Sequence, residues 1–208
     1  LCTTIDDCKK FQLISKDYSK VIWVGMEYRY MPPVKKLIER VHNKTLGNLK
    51  MVSIREHRFP FLKKVDNWNR FDSNTGGTMV EKCCHFFDLM RFITQSEVKQ
   101  VFASGSQEVN HLDEKYNGKV PDIIDNGFVI IDFQNGVRGL LDLCMFAENS
   151  EYQEEVVVIG DKGKIEAFVP SHDSGKNISE VKMGMRNSST IITDNIEVDK
   201  KILMAGHH

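Results

Sequence analysis

The sequence predicts an α+β fold: a large open sheet, predominantly antiparallel or mixed, with helices on one face. Three observations point there. The hydrophobic period changes from helical to two at Leu49. Two turn signals, Asn135-Gly136 and Asp161-Lys162-Gly163, each separate a pair of strand-like runs. The longest helix pattern, about residues 79–93, is apolar on nearly every side except one stripe, which marks a buried helix.

The elements follow in order. Thr4-Ile5-Asp6-Asp7 opens a helix, with Thr3 or Thr4 as cap and the acids at the positive end of the dipole; it is expected to end near Tyr18. Val21 to Met26 is a continuous apolar run, the pattern of a strand buried on both faces. Pro32-Pro33 starts a helix to about His42, with Val34, Leu37, Ile38 and Val41 on one face. From Leu49, Met51, Ser53, Arg55 and His57 alternate with Val52, Ile54, Glu56 and Arg58, a strand with one buried face. Residues 60–75 have no period and read as a loop ahead of the 79–93 helix. Val98 to Ser104 is a strand, and the polar stretch 107–122 an excursion.

Asp125–Phe133 and Val137–Phe146 flank Asn135-Gly136, the signal of a two-residue type I′ hairpin. Glu154–Ile159 and Lys164–Val169 form a second hairpin, and 170–177 a loop. Segments 178–183, 189–193 and 196–203 are further strand candidates.

Composition narrows the function. Of 208 residues, 41% are hydrophobic and 27% charged, with a net charge of −1, so no basic footprint for nucleic acid or membrane surface exists. The five cysteines make no C-x-x-C pair and no zinc-finger spacing, and a reduced, cytoplasmic setting is expected. Neither G-x-G-x-x-G nor a P-loop is present, so neither standard device for a nucleotide occurs in this chain.

The chemistry concentrates on one stripe. After the Gly76-Gly77 turn, Glu81, His85 and Asp88 interrupt the apolar helix at offsets of four and three, within an arc of roughly 60°. Buried carboxylates and imidazoles are costly unless paired or engaged in chemistry. From spacing alone, His85 reads either as a core histidine bonded to a carbonyl or as an acid/base. Glu81 reads either as a partner of Arg91 or Lys82 or as the acid one turn from His85. The same trio, with His57, has a ligand-like spacing, but no H-E-x-x-H occurs and no metal is expected. Cys83 and Cys84 read as small core residues.

Five segments, in order, resemble the glucose–fructose oxidoreductase/inositol dehydrogenase (Gfo/Idh/MocA) family. Gly76-Gly77-x-x-x-Glu81-x-x-x-His85-x-x-Asp88 is similar to its substrate-site motif, commonly G-G-x-x-x-D-x-x-x-H-x-x-D, with Glu81 in place of the aspartate. Val24-Gly25-Met26-Glu27-Tyr28-Arg29-Tyr30-Met31-Pro32 resembles the junction between the family's two domains, and Trp68-Asn69-Arg70 the Trp-Arg segment before the Gly-Gly turn. Asp125-Asn126 through Asn135-Gly136-Val137 resembles the central hairpin, and Gly160-Asp161-Lys162-Gly163-Lys164-Ile165-Glu166 the G-x-x-G-x-[IL]-E turn.

The resemblance implies an NAD- or NADP-dependent oxidoreductase acting on a sugar, inositol or similar polyol. Residues 1–26 would be the last helix and strand of a Rossmann domain, following the family's E-K-P motif and its catalytic lysine. Residues 27–208 would be the substrate-binding and oligomerisation domain, lacking the family's final helix. His85 would be the acid/base and Glu81 its partner, with Trp68, Arg70, Asp88, Arg29 and Tyr30 as substrate-site residues. The cofactor would be bound mainly by the preceding domain, and homo-oligomers, dimers or tetramers, would form through the open sheet face. An assembly module without activity of its own and a pseudoenzyme or lyase-type member are the alternatives.

Overall fold

The computed structural model describes residues 2–171 and 178–197. Five α-helices appear among them: α1 (Ile5–Asp17), α2 (Pro32–His42), α3 (Asp72–Thr75), α4 (Gly77–Glu81) and α5 (Cys84–Thr94). Eight strands complete the fold: β1 (Leu49–His57), β2 (Val98–Ser106), β3 (Asn126–Phe133), β4 (Arg138–Cys144), β5 (Tyr152–Gly160), β6 (Gly163–Pro170), β7 (Ile178–Met185) and β8 (Ile191–Glu197). All eight join one sheet in the order β2-β3-β4-β1-β5-β6-β7-β8. Only the central β1·β4 pair is parallel, so the sheet is mixed, as the sequence predicts.

One face of the sheet is covered. Strand β1 turns Val52, Ile54 and Glu56 inward, and Val129, Ile131, Leu141, Val156, Val158, Ile165 and Ala167 join them in the core. Helix α2 supplies Val34, Leu37, Ile38 and Val41, and α5 supplies Phe86, Leu89, Met90 and Ile93, every one buried. Burial of each such side chain is worth about 1.5–3 kcal/mol. The opposite face is open: Phe102, Phe128 and Ile130 are each about half exposed.

Four expectations need correction, the last of them at the site helix. First, Val21 to Met26 forms no strand; Val21 and Trp23 are 92% and 72% exposed. An apolar run becomes a strand only where a ladder accepts its N–H and C=O groups, and no described strand lies beside it. Helix α1, capped by Thr4 Oγ1 accepting from the Asp7 amide at 3.2 Å, likewise buries no residue. Second, the 60–75 stretch is not plain loop, since it holds a 3₁₀ segment over Val65–Arg70 and the short helix α3.

Third, the Asn135-Gly136 hairpin is not type I′. Gly136 has φ +85°, but Asn135 has no positive φ, which type I′ requires. Gly136 N donates to Phe133 O at 3.0 Å and Phe133 N to Val137 O at 2.9 Å, closing a three-residue loop with its glycine in the left-handed region. No heavy atom lies within 4 Å of where a Gly136 Cβ would sit. Gly136→Ala is therefore expected to cost only the backbone strain, about 1 kcal/mol in urea unfolding. The 196–203 candidate lies outside the described residues beyond Glu197.

The predicted 79–93 helix is broken at Lys82–Cys83. Thr78 O accepts from both Lys82 N at 3.0 Å and Cys83 N at 3.1 Å, so the last turn of α4 widens. Phe86 N then bonds Cys83 O at 3.0 Å, a tighter turn that starts α5 on a new phase. This local change decides which carboxylate meets His85.

Candidate active site

Glu81, Lys82 and His85, on either side of that break, line one cleft of about 340 Å³. Its other walls are Gly25 and Glu27, Arg58 and Phe59 just after β1, and Phe61, Leu62 and Lys64. Its size suits a small ligand.

The His85 ring leans on Tyr28 with centroids 5.2 Å apart. Its Nδ1 lies 3.4 Å from Glu27 Oε2, an ion-pair distance without hydrogen-bond geometry. Burial pushes its pKa below the ordinary value of 6.5; Glu27 opposes this, and the Lys82 charge adds to the fall. The imidazole is therefore a neutral proton acceptor near pH 7.

Glu81 does not pair with His85 as the unbroken helix implied. Its Oε1 instead accepts from Lys64 Nζ at 3.0 Å, and Glu27 is the acid beside the ring. The physical reason is the phase change at Lys82–Cys83, which removes the alignment of positions four apart on a continuous helix.

Beneath His85 lies a network of buried charge. Lys82 Nζ meets Glu56 Oε1 at 3.0 Å and donates to Tyr28 OH. Arg58 approaches the same Glu56 oxygen at 3.4 Å, while Tyr28 OH donates to Glu154 Oε1 at 3.2 Å. Glu56 is fully buried, and burial lifts its pKa to about 7 against the pull of Lys82. The phenol of Tyr28 is raised well above its ordinary value by burial and by the neighbouring carboxylates.

The remaining predicted site residues lie elsewhere than the cleft wall. Arg29 grips Asp88 through both ends of its guanidinium, with Nε donating to Oδ2 at 2.6 Å, and stacks over Phe92 at 4.3 Å. This pair clamps the 3₁₀ turn Glu27–Tyr30 onto α5. Tyr30 is 65% exposed. Trp68 is partly exposed, with the Lys64 ammonium 5.2 Å from its ring centroid.

Arg70 is buried. Its Nε donates to Glu114 at 2.9 Å and its Nη1 to Phe61 O at 3.1 Å, tying the 107–122 excursion to the cleft loop. Burial would raise Glu114, but hydrogen bonds from Tyr116, His111 and Arg70 outweigh it and hold its pKa at about 2. Arg70→Ala is expected to lower stability by about 2 kcal/mol, the loss of charged hydrogen bonds. It should also open residues 107–122 to limited proteolysis; an unchanged cleavage pattern would refute the clamp.

Five cleft and floor residues escaped the sequence reading: Glu27, Glu56, Arg58, Lys64 and Lys82. One signal was available. The alternation of β1 puts Glu56 and Arg58 in phase with Val52 and Ile54, on the face that must be buried.

The Gly76-Gly77 turn offers no cradle for a phosphate. A Cβ at Gly77 would fall 2.3 Å from Asp72 Oδ1, and one at Gly76 2.8 Å from Val80 Cβ, so its space is filled by its own neighbours. Among the described residues, no three His, Cys, Asp or Glu side chains come together as a metal site. No described helix is long and apolar enough to cross a membrane.

Comparison with known proteins adds three findings. Residues 38–200 match the model of a family described as "Oxidoreductase family, C-terminal alpha/beta domain". A myo-inositol 2-dehydrogenase of Thermotoga maritima is 32% identical over 151 residues, which are 73% of this chain and 42% of that protein. The fold is shared with a levoglucosan dehydrogenase solved with NADH (16% identity, TM-score 0.74, 96% of this chain and 53% of that one). It is shared also with an aldose-aldose oxidoreductase of Caulobacter crescentus solved with glycerol (15% identity, TM-score 0.71, 99% and 60%). The chain thus spans less than half of the curated relative's length.

Proposed function

Because the chain belongs to the Gfo/Idh/MocA oxidoreductase family, as its C-terminal α/β domain, we propose that it is the substrate-binding part of an NAD- or NADP-dependent dehydrogenase of a sugar, inositol or related polyol. The observation that carries this reading is the place of His85: an imidazole on the wall of a small-ligand cleft lined also by Glu27 and Glu81, in a setting whose burial disfavours its protonated form. Such a group accepts the proton of a substrate hydroxyl as the carbon is oxidised. A nicotinamide, held by residues beyond this chain, would supply the hydride acceptor. Glu81 is proposed to join through the cleft and its Lys64 pair. Asp88 and Arg29 would fix the loop that carries Glu27, and Trp68, Arg70 and Tyr30 the loops at the rim.

Residues 1–26 are proposed to belong to the nucleotide-binding domain, which would cover the exposed apolar run Val21–Val24; residues 27–208 form the second domain. Free thiols at all five cysteines favour residence in the cytoplasm. The test uses the full-length protein with NAD or NADP and a panel of cyclic polyols and aldoses, read as nicotinamide reduction. Turnover of a polyol is expected, and inactivity against the whole panel with both cofactors would overturn the proposal. The 208-residue chain alone is expected to show no tight NADH binding; micromolar affinity would contradict the domain assignment.

A second reading concerns assembly. Phe102, Ile130 and Leu140 stand in register across β2, β3 and β4 on the open face, beside Phe128. An apolar row of this kind suits a homo-oligomeric contact. Light scattering of the chain is expected to give a dimer or tetramer, and a monomer at micromolar concentration would reject this reading.

A further inference from the structure

Lys82 sits immediately after Glu81, at the break between α4 and α5, with 9% of its side chain exposed. It lines the cleft together with His85. A lysine can make three hydrogen bonds through its ammonium. Here Glu56, wholly buried on β1, holds it at 3.0 Å, and Tyr28, whose ring packs on His85, accepts a second bond. A buried ion pair of this kind adds little stability over an apolar pair of equal volume. Its position in the cleft floor therefore calls for another explanation. Most of the geometry needed for a fixed charge is already present: the ammonium is pinned from two sides by groups on different elements, and one of those groups touches the imidazole.

We propose that Lys82 is a positioning residue for His85: anchored by Glu56 and by the Tyr28 hydroxyl whose ring packs on the imidazole, its ammonium fixes a positive charge in the wall of the His85 cleft, where it opposes protonation of the ring. The charged groups around His85 are few enough to name. Glu27 faces it from the 3₁₀ turn and Asp88 acts from its own helix, both favouring the imidazolium; Glu56 acts from β1 in the same sense. Glu81 and Lys64, paired with each other, line the same cleft, as does Arg58. Lys82 is the cation that acts on the ring against these acids. The fall in the His85 pKa that burial begins, Lys82 extends.

The inference rests on the reading of His85 as the acid/base, but its test needs neither cofactor nor turnover. In the 208-residue chain, the His85 ring is followed by NMR across pH, its signal assigned by loss in His85→Gln. Lys82→Met is expected to raise the His85 midpoint by about one pH unit, a tenfold change in its protonation equilibrium. Lys82→Arg, which keeps the charge, is expected to leave it near wild type. The double variant Lys82→Met/Glu56→Gln removes both charges of the pair, with Arg58 still stacked over Phe59 at 4.3 Å, and so remains testable should the single variant fail to fold; it too is expected to raise the midpoint. An unmoved or lowered midpoint in the double variant, or the same rise in Lys82→Arg, would overturn the proposal. Failure here would leave the turnover test of His85 untouched, and loss of that test would leave the ring titration standing.

Discussion

Replacing His85 by alanine in the full-length protein is expected to lower kcat by ~10²–10⁴, the usual worth of a positioned general base. The imidazole lies on the cleft wall with Nδ1 3.4 Å from Glu27 and its ring against Tyr28, so its removal deletes a proton acceptor without emptying the core. Because the loss falls on proton transfer, KM should change far less than kcat. The acid limb of kcat/KM should vanish as well. In the wild type that limb is expected below the ordinary histidine value, since burial, aided by Lys82, disfavours the protonated ring against the opposing pull of Glu27. Below this midpoint the ring is protonated and inactive; above it the ring is free to accept. Steady-state rates at several pH values, with thermal melting as a folding control, provide the check. A kcat within threefold of wild type, in a folded variant, would exclude His85 as the base.

Glu56 carries the second large effect. Burial lifts its pKa from 4.5 to about 7 despite the Lys82 ammonium 3.0 Å away, with Glu154 adding to the rise. A carboxyl with a folded pKa above its unfolded value holds more protons in the folded state. Its contribution to stability is thus fully present below pH 4.5 and is lost as pH rises through about 7. That displacement corresponds to on the order of 3 kcal/mol. Glu56→Gln removes the titration and keeps the shape. Relative to wild type, the variant should therefore gain on the order of 3 kcal/mol between pH 5 and pH 8 in urea unfolding, while titrating groups remote from Glu56 cancel in the comparison. Parallel pH dependences of the two proteins would show that Glu56 ionises as freely in the fold as in the unfolded chain.

Much of the fold was legible because it depends on short-range patterns. The alternation through Met51–His57 and the runs around Gly136 and Gly163 located the strands to within a few residues, and Pro32-Pro33 marked the start of α2. The errors arose where a local pattern depends on a distant partner. Val21–Val24 is apolar enough for a buried strand, yet lies exposed because no described strand pairs with it. The hairpin turn took its form from the Phe133–Val137 closure, which the dipeptide Asn135-Gly136 does not specify.

The sequence by itself determined the α+β class, the family motif and the presence of His85 in an apolar setting, because all three are written in spacing along one chain. Only the tertiary structure decided who stands beside that histidine. The π-like widening at Thr78 turns Lys82 down to Glu56 and leaves Glu81 to Lys64, while a turn more than fifty residues earlier brings Glu27 to the ring. Side-chain pairing across such separations depends on how β1, α5 and the Glu27–Tyr30 turn pack together, and no periodicity within any one of them encodes it.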